Sequence, residues 1–337
     1  MMMRKHSLPA LYAKLLLLSL PFLFLLIYYV AKDPFQVLRQ YSDYDHNRVA
    51  QNEGMIGWIK YKQYNSVRHY DSFIMGNSCT KAFQSADWLQ YVSGSPLRFF
   101  ANSEDLDGLT EKLEALDRQP GQQIRNLLIV LEPASFNSAH NDFMHIMPPD
   151  VSHKSEAAFQ MAFMQGFFSP RFLLPYLRYT VGHCSADKLR GIINADIPTR
   201  EKYTNDAILH TESKISAMGE NYWHQGTWKK QLSKQRVPQV MAPIYQPEQL
   251  EQWKEIRAIC LHHHTNLKIV IGPSFDRKIM NSKDVRTLQS IFGSGVVYDF
   301  SSPRFFWMDD YHNFYDTSHY RRQLGQKILG MIYGSNR

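Results

Sequence analysis

The sequence predicts an α/β protein: a doubly wound parallel sheet in three layers, with a helical insertion and one transmembrane helix in front. Three observations carry this expectation. Five short apolar runs alternate with stretches of helical periodicity, that rhythm breaks between about 134 and 246, and an uncharged run stands at residues 15–31. The composition permits such a fold. The 337 residues are 44% hydrophobic and 20% charged, with 17 Gly and 16 Pro, which excludes collagen-like, coiled-coil and wholly disordered chains.

The first element is the run Leu15 to Ala31, LLLLSLPFLFLLIYYVA, with no polar face to suit a water-exposed helix. Arg4, Lys5 and Lys14 precede it, so the positive-inside rule makes residues 1–14 a cytoplasmic tail and 15–31 an anchor. Everything after Lys32 is then extracytoplasmic, periplasmic or at the cell surface. Bulky Tyr29 stands two positions before Ala31, where a cleavage site of the A-x-A kind needs a small residue, so the anchor is retained. Residues 32–70 read as a juxtamembrane lead-in with one helix and no recognisable chemistry.

From Asp71 to the end, 71–337, the pattern is regular. Phe73-Ile74-Met75 ends in Gly76, a helical stretch runs to about Gln90, and Leu97-Arg98-Phe99-Phe100 makes a second strand. Leu106, Leu109, Leu113 and Leu116 recur at helical spacing, and Leu127 to Leu131 is a run suited to a strand buried on both faces. The insertion, about 134–246, is rich in Phe, Tyr, Met and His. Beyond it come a helix over 247–264, strand Leu267 to Ile271, a helix near 283–292, strand Val296 to Tyr298 and a last helix from Ser318 to Ile332.

Charge and cysteine usage narrow the function. Lys and Arg outnumber Asp and Glu by 38 to 31, a net +7, but the basic residues are dispersed with no zinc-finger or RNP pattern, so no nucleic-acid partner is expected. The mild excess suits work near anionic lipid or acidic glycan. Cys79, Cys184 and Cys260 form no C-x-x-C pair, allow one bridge at most and build no zinc site.

In open α/β sheets ligands bind beyond the carboxyl ends of the strands. Two segments there carry the residue types for acyl chemistry. In Met75-Gly76-Asn77-Ser78-Cys79-Thr80, Ser78 falls at a helix start with its hydroxyl exposed, where backbone N–H groups stabilise an oxyanion; the same residues also serve as an ordinary N-cap. In Asp316-Thr317-Ser318-His319, at the entry to the last helix, the carboxylate can fix the tautomer of an imidazole presented to a site, or simply cap the helix.

Together, a small-residue turn with Ser after the first strand and D-x-x-H before the last helix resemble the SGNH (GDSL-type) hydrolase superfamily. The likeness is to its membrane-anchored, extracytoplasmic branch linked to teichoic-acid D-alanylation and alginate acetylation, and it covers 71–133 and 265–335. The resemblance implies Ser78 as nucleophile, His319 as general base and Asp316 as its partner. Ala101-Asn102-Ser103-Glu104 stands where the family has its oxyanion glycine, and Leu131-Glu132-Pro133-Ala134-Ser135-Phe136 replaces its G-x-N-D block. Pro133 and Phe136 fit the D-alanylation branch. An oxyanion hole from the Ser78 N–H and the Asn102 side chain is expected.

Other residues invite weaker readings. His262-His263-His264 faces three directions on a helix and suits a helix C-terminus, so no metal is expected, and no cofactor. Cys79 should point away from the site. His183, His210, His224, Trp223 and Trp228 line either a groove for sugar rings or the core of the insertion, and Glu132 and Asp299 end strands where they could tune the site. The expected function is an O-acyltransferase moving acetyl or a similarly small group onto an envelope glycan through a Ser78 acyl-enzyme. Deacylation by an esterase and a non-catalytic subunit of an acylation complex are the alternatives, and the resemblance implies a multi-spanning acyltransferase as partner. Ser78 and His319 should then approach within roughly 2.6–3.2 Å.

Overall fold

The computed structural model describes residues 8–133, 135 and 146–334, so Phe136 and the tail's Arg4 and Lys5 lie outside the described residues. The chain forms two compact units, one from residues 1–51 with 156–195, the other from 52–155 with 196–337.

The larger unit is α/β. Five strands, β1 (Ser72–Gly76), β2 (Pro96–Phe100), β3 (Asn126–Leu131), β5 (Asn266–Ile271) and β7 (Val297–Asp299), form one parallel sheet in the order β2-β1-β3-β5-β7. These are the five apolar runs of the sequence. The two-residue strands β4 (Gln239–Val240) and β6 (Lys278–Ile279) pair separately, and β8 (Phe314–Asp316) and β9 (His319–Tyr320) make a small antiparallel hairpin.

The pleat distributes the strand side chains to two cores. Phe73, Met75, Leu127, Ile129, Leu131, Ile269 and Ile271 face helices Glu53–Arg68, Leu106–Asp117, Pro247–His262 and Ser282–Phe292. Ile74, Leu128, Val130 and Val270 face the last helix, Arg322–Tyr333, with Phe83, Trp88, Trp223 and Trp228. Cover on both faces is why the strands read as continuous apolar runs, and it is compatible with a three-layer fold. Strand β2 is an edge. Residues 203–206 blunt it: the Arg98 N–H donates to the Thr204 carbonyl at 2.9 Å, and the Asn205 amide donates back to the Arg98 carbonyl at 2.7 Å.

Three local expectations are corrected. The stretch after β1 is two short turns, a 3₁₀ turn at Ser78–Ala82 and a helix at Ser85–Trp88. Phe83 and Gln84 between them are extended, and the Asp206 carboxylate takes the Ser85 N–H and hydroxyl at 3.0 and 2.9 Å. The last helix begins at Arg322, because Asp316 Oδ1 accepts the N–H groups of Ser318 (2.8 Å) and His319 (2.9 Å) and closes a hairpin turn instead. Helix Glu53–Arg68 belongs to the sheet's outer layer, with Trp58 and Tyr61 buried against Phe99, so only residues up to 51 of the expected lead-in lie in the smaller unit.

The smaller unit is built on helix Leu8–Lys32, long and apolar enough to cross a membrane, with a mean hydropathy of 2.2 over its best 18-residue window. Helices Glu156–Phe168 and Pro170–Thr180 pack on it, and the Val49–Ile193 bridge closes the unit.

Candidate active site

The sheet order reverses direction at β1 and β3, the place where open α/β sheets leave a crevice. Gly76 ends β1 and Glu132 follows β3, so the turns leaving these two neighbours face each other. Asn77 ties them together. Its side-chain oxygen accepts the Cys79 N–H at 2.9 Å, and its amide donates to Glu132 Oε2 at 2.7 Å and to Ser135 Oγ at 3.0 Å. With the Cys79 N–H taken by Asn77 and the Thr80 N–H bonded to the Asn77 carbonyl, the Ser78 N–H meets no acceptor among the described residues.

The structure brings Ser78, His319 and Asp316 together across 241 positions. His319 Nε2 lies 2.7 Å from Ser78 Oγ, and Nδ1 lies 2.8 and 2.9 Å from the two oxygens of Asp316. Burial pushes the Asp316 carboxyl up, but the hydrogen bond and charge of His319, with the Ser318 and His319 N–H groups, outweigh it and hold its pKa below the ordinary 3.8. An ionised carboxylate only accepts, so Nδ1 carries the proton and Nε2 is left to accept from the serine hydroxyl. The Tyr315 ring lies parallel to the imidazole, with centroids 5.6 Å apart.

The hairpin that carries the base is held from outside. Tyr222 Oη donates to the Tyr315 carbonyl at 2.6 Å, Trp228 Nε1 to the same carbonyl at 3.3 Å, and Trp223 Nε1 to the Phe314 carbonyl at 3.0 Å. Both indoles are buried, at 4% and 5% exposure, in the core between the sheet and the last helix, and present no face for a sugar ring. Arg321, bidentate to Glu212 and bonded to the His312 carbonyl at 2.9 Å, fixes the strand's other end.

Cys79 is buried, and its thiol donates to the Ser318 carbonyl at 3.4 Å, clasping the serine turn to the hairpin turn. Burial and then the charge of Glu132 push that thiol well above its ordinary range, which keeps it neutral and unreactive. Arg98 is fully buried beneath the turn, stacked on the Phe100 ring at 4.0 Å and bonded to the Asn205 carbonyl. Its Nη1 reaches Thr80 Oγ1 at 3.4 Å. Neither Arg98 nor Asp206 was signalled by a motif. An Arg in an otherwise apolar strand was the one available hint.

The remaining expected residues fall as follows. Asn102 is exposed in the turn after β2, whose last residue, Phe100, is in register with Gly76, so it stands at the same sheet edge as Ser78. Glu104 is buried in an ion pair with Lys112, and Pro133 is buried. Asp299 Oδ1 holds the Ser301 N–H and hydroxyl, and His210 bonds to the Pro198 carbonyl at 2.7 Å. His224 is exposed, 3.7 Å from Glu220, and His183 belongs to the smaller unit. His262 and His263 both bond to Oδ1 of Asp117, at 2.9 and 2.8 Å, a partner that local spacing could not reveal.

Glu132 carries a measurable consequence. Burial, the largest influence, raises its pKa above 4.5 despite the Cys79, His319 and Asn77 contacts that favour the anion. The native state therefore holds a proton that the unfolded chain releases as pH rises past 4.5. This stabilising contribution is full below 4.5 and is lost as pH climbs through the raised folded value. Glu132→Gln, which can still accept from Asn77, is expected to remove that slope and to raise Tm at pH 7.5. Thermal melts between pH 4 and 8 would check this; an unchanged slope would place the ionisation elsewhere.

No known family model matches this chain, and no curated protein sequence matches it.

Proposed function

We propose that this chain is a membrane-anchored, extracytoplasmic, SGNH-like serine acyltransferase that moves a small acyl group, acetyl or similar, onto an envelope glycan. The supporting observation is the unbroken hydrogen-bond chain from Ser78 Oγ through the His319 ring to Asp316, at 2.7 and 2.8 Å, assembled at the sheet's switch point. In this reading helix Leu8–Lys32 spans the membrane with the N-terminus in the cytoplasm.

Ser78 Oγ attacks the acyl carbonyl while its proton passes to His319 Nε2, and the imidazolium is stabilised by Asp316. The Ser78 N–H, with Asn102 turning inward on substrate binding, receives the developing oxyanion. Collapse expels the donor's leaving group, which takes the proton from Nε2. The glycan hydroxyl then enters, gives its proton to Nε2 and attacks the acyl-enzyme; collapse breaks the bond to Ser78 Oγ, which takes that proton back from Nε2, and releases the new ester. The donor is delivered by a multi-spanning membrane acyltransferase, the partner that the family resemblance implies.

The full chain in detergent, treated with a fluorophosphonate probe, is expected to label at Ser78 and nowhere else, with Ser78→Ala unlabelled. Failure of the folded protein to label would favour the non-catalytic subunit. With an acyl donor and a glycan acceptor, ester on the glycan supports transfer, and free acid alone would make the protein an esterase.

A further inference from the structure

The insertion contains a helical pair whose contacts run the wrong way for a water-exposed module. Along helix Glu156–Phe168 the partners descend. Gln160 Nε2 donates to the Val37 carbonyl at 3.0 Å, Phe163 packs on Phe35 at 5.5 Å, Phe167 on Tyr29 at 5.0 Å, and Phe168 stacks on Phe22 at 4.9 Å. Ser169 turns the chain, and Tyr176 of helix Pro170–Thr180 returns to Tyr28 at 6.3 Å. Phe22 and Tyr29 lie well inside helix Leu8–Lys32. At 1.5 Å per residue, the tip of the pair sits roughly 5 to 15 Å below the helix end at Lys32.

The composition fits that depth. Residues 157–168 carry no charge, and the outer faces expose Ala157, Met161, Gly166 and Leu174. Charges flank the stretch: Glu156 at its start, and Arg171 and Arg178 on the return helix, with stems long enough to reach lipid phosphates.

We infer that helices Glu156–Phe168 and Pro170–Thr180 form a wedge immersed in the outer leaflet beside the spanning helix, with lipid covering their exposed apolar side chains. The inference rests on the anchor reading above, because the aromatic contacts fix the wedge to residues 22–29 of that helix. A shallow wedge of this kind would hold the unit at a set depth and orientation at the membrane surface.

The test uses the full chain reconstituted into vesicles of phosphatidylcholine and phosphatidylglycerol, in a Cys184→Ser background. An environment-sensitive fluorophore is attached at single cysteines, and Cys79 and Cys260 are buried and do not compete. Gly166→Cys and Leu174→Cys probe the wedge, Phe24→Cys the spanning helix, and Glu156→Cys and Val237→Cys the water. A side chain at Gly166 meets nothing within 4 Å, and Leu174 is 59% exposed, so neither label disturbs packing. Lipids spin-labelled near the headgroup should quench positions 166 and 174 by about half or more, as an apolar face buried about 5–10 Å deep would be. Positions 156 and 237 should respond to aqueous iodide only. Lipid quenching at 24 with 166 and 174 open to iodide would overturn the wedge and leave the anchor standing. Iodide access at 24 as well would overturn both.

Discussion

On the proposed function, replacing Ser78 by alanine is expected to lower acyl turnover by roughly 10⁴- to 10⁶-fold with the fold intact, because its hydroxyl, 2.7 Å from His319 Nε2, is the atom assigned to carry the acyl group. His319→Ala should cost about the same, and the double variant no more than either single one, since the two act as one unit. That non-additivity separates a catalytic pair from two residues that merely hold a turn, whose losses would add. Asp316→Asn should cost roughly 10³- to 10⁴-fold, because an amide facing Nδ1 allows the wrong tautomer while its oxygen still closes the turn through the Ser318 and His319 N–H groups. Cys79→Ser, which keeps a donor for the Ser318 carbonyl, should stay within a few-fold. Equal losses from Cys79→Ser and Ser78→Ala would sink the assignment of Ser78 as nucleophile.

Much of this arrangement can be read from the chain, for a physical reason. Strands covered on both faces must be largely apolar, so all five declare themselves as runs, and the switch-point rule then points to the turns after them. What stays hidden is set by distance in sequence or by competing local bonds. The Ser85 cap comes from Asp206, 121 positions away, so a continuous helix after β1 is the natural but mistaken reading. The Asp316 turn looks like a helix cap because Asn, Asp and Ser close helix starts and hairpin turns with the same side-chain-to-backbone bond. Trp223 and Trp228 read equally as a sugar platform or as core until their N–H groups are seen bonded to β8, the strand of the hairpin that ends in Asp316. Residues 156–180 read only as part of the helical insertion, rich in Phe, Tyr and Met. Their association with helix Leu8–Lys32 rests on aromatic contacts that no periodicity encodes.

Gly76→Ala is the substitution expected to damage the fold most for the fewest added atoms. Its φ is +133°, and an added Cβ would lie 2.1 Å from the Val130 carbonyl oxygen, part of the β3 backbone that cannot rotate away. The two costs can be separated with other glycines of the same chain. Gly121, at φ +72° with nothing within 4 Å, isolates the backbone term, so Gly121→Ala should cost about 1–2 kcal/mol. Gly325, inside the last helix, has no positive φ, but its Cβ would lie 2.1 Å from the Ala82 carbonyl oxygen at the end of the serine turn. Gly325→Ala should therefore cost about 1–3 kcal/mol of overpacking and displace the turn that carries Ser78. Gly76→Ala combines both terms, so a loss of about 2–5 kcal/mol is expected, with β1 and β3 pushed apart where Asn77 reaches Glu132. Denaturant titration of the three variants, paired with fluorophosphonate labelling of Ser78, would read both effects. A Gly76→Ala protein as stable and as reactive as the parent would refute the close approach of β1 to β3 on which the geometry of the site depends.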